Sequence, residues 1–503
     1  MTVGSATGPV TSSRHPSTAT PEGSPPAPWV TFGESRRNLT VPRWIVLAAA
    51  AAAQAGVARV MFLVPSVALL HAGTLLLVAG WAVLRRKPVV SLMVVAYATG
   101  AEIMWRQARG GVPYTLGPYL TIFVALASIA TLYPSISRSG RRALLYVALL
   151  LPSALITVAV TAGKAREFLV FALAGPFTLT ALILWLSQVR VEPWLYRRVL
   201  WTVVIAGVGP LTIAATNISD YIGAGNELTF SDSSNFVASG GFGPVQVSSV
   251  LGLTVLAALI LATVEVEFTA RALAVVLGVA AATQSLLTFS RGGMFSTAFA
   301  VAALALVQAG DRQGRRRVLV VIGLVFAVGY FVVVPRLDNF TEGQFNERFT
   351  DTESGRTELA ANDIEIFGRN PVTGVGPGLA KYQRIPYEIC QLRSDACKDE
   401  ASSHTEFTRM LGEHGLAGLI AIGVLASLVV TAMVQAGRNR GYVAALLTWS
   451  IAQMVYANLR VVAVAFAFAF AFVRMGAADE ELEPEPDDAT GRTSPPALAP
   501  PAP

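Results

Sequence analysis

The sequence predicts an all-α polytopic membrane protein of about 12–14 transmembrane helices, with a partly helical loop subdomain on the extracytoplasmic side. Three observations predict it. Of 503 residues, 53% are hydrophobic and 14% charged, against about 25% charged in a soluble domain. Apolar runs of the length that crosses a bilayer, about 20 residues, recur along most of the chain. Lysine and arginine collect in alternate connections between those runs. The composition excludes a disordered chain and argues against a soluble enzyme. The formal charge of +6 is spread along the chain, so no basic block reads as a nucleic-acid patch.

Residues 1–41 are rich in Pro, Ser, Thr and Gly and carry no periodicity, which predicts a disordered tail. A polar stretch this long ahead of the first apolar run is the wrong layout for a signal peptide. The polytopic domain follows over 42–474, and an acidic, Pro-rich tail over 475–503. Apolar spans are expected at 42–58, 60–84, 88–105, 113–133, 142–162, 167–187, 198–216, 244–263, 270–289, 293–309, 318–335, 415–436, 441–457 and 460–474.

With the amino terminus inside, the inner connections and tails hold 22 of the 38 basic residues, and the short outer connections hold seven. The other nine lie in one long outer loop, 336–414, a class of segment that crosses largely regardless of charge. Both termini are therefore expected in the cytoplasm. The outer segments 217–243 and 336–414 are too long for plain connectors. The longer one has helix-like stretches and reads as a small ordered subdomain. No internal repeat relates the two halves, which weakens a transporter built on repeats.

Four segments can carry chemistry. In Ser290-Arg291-Gly292-Gly293 the glycines let one span follow another at once, which sets Arg291 at a tight outer hairpin. A guanidinium there can grip a phosphate bidentately or snorkel to head groups. Ser354 is a candidate N-cap for a helix reaching about Phe367, with Arg356 in its first turn, where an anion is favoured. A solvated surface charge explains Arg356 as well. The glycine-dense turn around Gly376 can bring backbone close to a phosphate or sugar, and plain loop geometry also accounts for it. Ser403 and Glu406 form a capping box that sets His404 in the first turn of a helix ending near His414. A helix N-terminus disfavours imidazolium, so a neutral His404 can take a proton from a hydroxyl, or merely bond locally. His71 reads as a packed helix residue, and His414 as a helix-end cation.

Glu102 falls inside an apolar run, four residues before Arg106. It is either a functional intramembrane acid or half of a helical ion pair. Cys390 and Cys397 share the outer loop, on the oxidising side, and a disulfide is the main reading. No metal-ligand spacing occurs there, so neither a metal nor another cofactor is expected.

In this order the segments resemble the O-antigen ligase and polymerase family. The resemblance rests on S-R-G-G at 290–293, R-T-E-L at 356–359, N-P-V-T-G-V-G-P-G at 370–378 and H-T-E-F-T-R-M-L-G-E-H-G-L-A-G at 404–418. The stretch Glu102 to Tyr119 is similar to the family's early outer arginine region, and residues 239–246, ending at Gln246, to a motif of its polymerase-like members. Thr405 stands where many members carry asparagine. The resemblance implies a metal-independent glycosyltransferase of the bacterial plasma membrane, acting on the outer face. Its donor would be a glycan on a polyprenyl diphosphate, and its acceptor a hydroxyl on a glycan or glycolipid. No nucleotide sugar would be needed, and its partners would be other polysaccharide-assembly membrane proteins. On this reading Arg291 and Arg356 stabilise the leaving diphosphate and His404 is the base. Arg106, Arg109, Glu102, Gln246 and Gly376 then contact the substrate. The competing expectations are a lipid-linked glycan flippase or other polysaccharide transporter, and a non-catalytic scaffold.

Overall fold

A computed structural model describes residues 41–132, 135–161, 163–230, 234–307, 320, 323, 327, 331, 334–344, 356–383 and 405–476. The fold is an all-α bundle. Its helices are α1 (Arg43–Leu63), α2 (Val67–Leu84), α3 (Pro88–Ala108), α4 (Leu116–Leu132), α5 (Arg138–Leu150), α6 (Ala154–Val160), α7 (Ala165–Leu186), α8 (Pro193–Gly223), α9 (Pro244–Val264), α10 (Phe268–Leu287) and α11 (Arg291–Val307). Then come α12 (Val334–Phe340), α13 (Arg356–Arg369), α14 (Glu406–Gln435), α15 (Arg440–Val455) and α16 (Val462–Phe470). Among the described residues nine helices are long and apolar enough to cross a membrane, α5 and α6 together making one, and α4 and α11 are shorter apolar helices.

Proline opens α3, α8 and α9, where its missing N–H would be unpaired anyway. Pro152 lies in the break between α5 and α6, so the run expected at 142–162 is two helices. The span expected at 198–216 is longer at both ends, because α8 runs from Pro193 to Gly223. The run expected at 318–335 lies largely outside the described residues, as do most of both tails. Arg474–Met475, at the edge of the expected tail, pair in parallel with Arg190–Val191.

Helix α16 shows how the surroundings override a local pattern. Its sequence VAVAFAFAF alternates with period two, as a strand would, yet it is helical and all nine residues are buried. Inside a membrane bundle a lone segment satisfies its backbone only as a helix. It packs between α3, α7 and α15. At the periphery, α2 presents Leu70, Leu77 and Leu84 at 72%, 76% and 83% exposure. A seven-residue spacing puts them on one face, an apolar stripe suited to lipid.

At one end of the bundle, buried Glu265 gathers Arg43, Arg197 and the indole N–H of Trp201. The candidate site lies at the opposite end.

Candidate functional site

The last turn of α3 supplies the first cluster. Glu102 and Arg106 form a buried i,i+4 ion pair. Arg106 also donates to Gln246 Oε1 on α9 (2.9 Å) and to the Tyr114 carbonyl (2.9 Å), and its guanidinium carbon lies 3.5 Å from the Tyr114 ring centroid. The other Glu102 oxygen accepts the Val462 backbone N–H at 2.8 Å. Gln246 in turn donates to the Tyr114 hydroxyl (3.1 Å). One acid and one base thus tie α3, the α3–α4 connection, α9 and α16 together. The pairing of Glu102 with Arg106 satisfies the intramembrane acid structurally. Arg106 has most of its donors engaged by protein, and its place is behind Tyr114. Arg109 caps α3 in the left-handed region and donates to the Gly241 carbonyl.

The second cluster is the α10–α11 hairpin. Helix α10 ends at Leu287 and α11 begins at Arg291, so the tight turn expected there is present. A Cβ on Gly293 would stand 2.2 Å from the Ser248 carbonyl oxygen, so only glycine lets α11 approach α9 this closely. Gly292 faces the Tyr456 ring, and its carbonyl accepts from Gln453. Arg291 is buried, and its neighbour Gly292 is the residue that meets Tyr456, at the start of the connection to Val461. Ser249, Gln453 and Asn458 form a buried hydrogen-bonded triad behind it.

The third cluster joins α13 to α14. The N-cap of α14 is Thr405, whose hydroxyl accepts the Thr408 N–H at 3.0 Å; the cap therefore falls two residues after the expected Ser403. Thr408 donates to Asp363 of α13 at 2.9 Å. Farther along, Gly412 packs on Asp363 and Ile366, and the Leu416 N–H donates to the Pro371 carbonyl at 2.7 Å. Successive contacts advance along both chains, so α13 and the first turns of α14 run parallel. Arg356, which begins α13, and Thr405 consequently lie toward the same end of the pair. Arg409 pairs with Glu406 and lies 3.9 Å from Glu413, and it reaches the Ala172 carbonyl of α7 at 3.4 Å.

At Gly415 (φ 60°, ψ −138°) α14 breaks, as the glycine predicts. The glycine-dense turn docks on this break: Val375 and Gly376 N–H donate to the Gly412 and Glu413 carbonyls at 3.0 and 2.9 Å. The Gly376 amide is thereby committed to the fold. His414, expected as a helix-end cation, is instead buried with Nδ1 2.5 Å from Ser153 Oγ. His71 is a packed residue, as expected, bonded to Tyr97 and Trp105 at 2.9 Å each. His404, Cys390 and Cys397 and the Arg356 side chain lie outside the described residues.

A cavity of about 560 Å³ opens beside the first cluster, with which it shares Tyr114. Tyr114, Tyr119 and Phe171 supply ring surface, and Lys164, Arg166 and Arg460 supply positive charge. Arg460 stands 4.5 Å over the Phe171 ring. Burial lowers its pKa from the ordinary guanidinium value, Tyr114 and Glu406 push it back up, and Arg409 and Arg106 add to the lowering. Arg460 is thus within electrostatic reach of both the first and the third cluster. Lys164, Arg166 and Arg460 are three of the seven basic residues in the short outer connections, and the sequence alone gives them no site role. Their outer position between apolar runs, shared with Arg291, was the available signal.

This is a multi-pass membrane protein with a cationic, aromatic-walled cavity. Residues 273–423 match the family model for O-Antigen ligase, a match that supports glycan transfer in polysaccharide assembly in general terms. The match takes in most of α10, all of α11, α12 and α13, and the first half of α14. The Glu102–Arg106 cluster and Arg460 come from outside it. No curated protein matches the chain.

Proposed function

We propose that the protein transfers a glycan from a polyprenyl diphosphate to a sugar hydroxyl at the extracytoplasmic face of the plasma membrane, with no metal taking part. The observation that carries this reading is the cavity lined by Arg460, Lys164 and Arg166 together with the rings of Tyr114, Tyr119 and Phe171. Both termini are cytoplasmic on this reading. The Glu265 end, with Arg43, Arg197 and Arg271, then faces inward, in line with the charge rule.

The acceptor oxygen attacks the anomeric carbon of the donor. A new glycosidic C–O bond forms, and the bond from that carbon to the diphosphate oxygen breaks. Its electron pair leaves with the polyprenyl diphosphate, and the acceptor proton passes to His404. Charge grows on the leaving group, so preorganised cations lower the barrier. Arg460, Lys164 and Arg166 are assigned that role together with Arg291 and Arg356. Arg106, engaged by Glu102, Gln246 and Tyr114, holds the Tyr114 wall instead. Arg109 holds the Gly241 loop. Cys390 and Cys397 form a disulfide in the outer loop.

The test is incubation of purified protein with a lipid-diphosphate glycan and a separate glycolipid acceptor. Lengthened donor marks a polymerase, and glycan moved to the second lipid marks a ligase. Undiminished transfer by both His404→Ala and Arg460→Ala would exclude the assignment.

A further inference from the structure

A second cleft, of about 310 Å³, lies across the start of α7 from the cationic cavity. Its lining includes Ile156 and Val160 from α6, with Asn370, Thr373, Tyr382 and Gln383 from the segment after α13. None of its described lining residues carries a formal charge. The two openings are neighbours: Val160 lines one and Gly163 the other. Three residues of chain span at most about 11 Å.

The cleft is preformed. Its floor is the glycine-dense turn, held to α14 by the Val375 and Gly376 amides and to α6 by a 3.0 Å bond from Thr157 to the Pro377 carbonyl. A floor fixed by backbone bonds loses little entropy when a ligand arrives. One wall offers amides and hydroxyls, and the other is aliphatic. Among the described residues, the Tyr382 hydroxyl and the Gln383 amide have no hydrogen-bond partner within the protein. The Tyr382 ring is set edge-on against Phe168, their centroids 5.9 Å apart. Phe168 belongs to the same turn of α7 as Glu167 and Phe171, which line the cationic cavity.

We propose that this cleft binds the acceptor saccharide: an uncharged, hydroxyl-rich glycan segment. Neutral amides and hydroxyls exchange hydrogen bonds with sugar hydroxyls, and aliphatic and aromatic surface covers the C–H faces of the rings. None of the described lining residues offers a diphosphate a compensating charge; Lys381, set 4.9 Å over the Tyr382 ring, stands outside the lining. The two openings thus divide the substrates by charge, with the donor anion on one side of the α7 start and the acceptor on the other. This rests on the transfer reading above, and it adds a location and chemical class for the acceptor.

The experiment uses full-length protein in nanodiscs and the repeat-unit oligosaccharide released by mild acid from the host's own polysaccharide. Saturation-transfer NMR measures its binding with no donor present. Tyr382→Ala and Gln383→Ala are expected to weaken binding about three- to tenfold each, the effect of losing one neutral hydrogen bond. In transfer assays the acceptor KM should rise by the same factor, with donor KM and kcat unchanged. Arg460→Ala should leave oligosaccharide binding intact. Unchanged binding in both cleft variants overturns the proposal, and so does a shift in donor KM in place of acceptor KM. Gln383 is exposed, so its replacement keeps the test valid if Tyr382→Ala fails to fold. Undiminished transfer by both His404→Ala and Arg460→Ala would sink the catalytic assignment alone, because the binding arm judges the cleft separately.

Discussion

Arg409→Met probes the joint between the outer-loop helix and the membrane bundle. The Arg409 side chain is 11% exposed, and its partners Glu406 and Glu413 are 2% and 4% exposed. Asp363, fully buried, adjoins the same cluster through Thr408. Methionine fills much of the space of the arginine stem but leaves two buried carboxylates with no cation in contact. Deleting one partner of a buried pair costs about 3–5 kcal/mol. Arg460 is close enough to Glu406 to compensate in part, which points to about 3 kcal/mol, the lower end of that range. At ~2 °C per kcal/mol, the shallow end for 150–250-residue domains, the melting temperature falls by about 6 °C. The double variant Arg409→Met/Glu406→Gln removes one stranded charge and should recover much of the loss. Thermal unfolding in detergent, followed by tryptophan fluorescence, reads both. A single variant within about 1 °C of the parent, or a double variant less stable than the single, would refute a net favourable charge cluster at this joint.

Gly415→Ala should destabilise by about 2–6 kcal/mol: ~1–3 for a backbone conformation that non-glycine residues avoid, and ~1–3 for overpacking. The overpacking arises because the new Cβ would lie 2.7–2.8 Å from backbone atoms of Gly374, Val372 and Pro371. Thermal unfolding checks it, and parental stability would contradict the observed break. Arg460→Ala should lower the transfer rate about 10²–10³-fold, as loss of a preorganised charge contact does, with the elution profile unchanged. Arg106→Ala should instead lower the melting temperature, measured by the same unfolding assay, because Glu102 and Gln246 lose their shared partner. Under reducing conditions an impermeant thiol reagent should reach Cys390 and Cys397 from outside intact cells, and labelling only from the cytoplasmic side of inverted vesicles would reverse the topology.

The fold class was legible in the sequence because it depends on local quantities. An apolar run of the right length must cross, and must cross as a helix, whatever it packs against. The α10–α11 hairpin and the Gly415 break were legible for a similar reason, since glycine at a span boundary states its own backbone requirement. The Glu102–Arg106 pair was visible as an i,i+4 spacing. The capping of α14 was misjudged by two residues, because Ser403 and Thr405 are both good caps and only tertiary contact with Asp363 selects between them.

What only the tertiary structure decided is which cation faces the cavity. By sequence, Arg106, Arg109, Arg291 and Arg460 are alike: arginines at span ends on one side. Arg106 meets Gln246 from 140 positions away, and Glu102 meets Val462 from 360 positions away. Those pairings tuck Arg106 behind Tyr114, while Arg460 stands at the cavity wall over Phe171. A guanidinium's role depends on which donors remain uncommitted after packing. Packing joins residues far apart in the chain, so no local pattern carries that information.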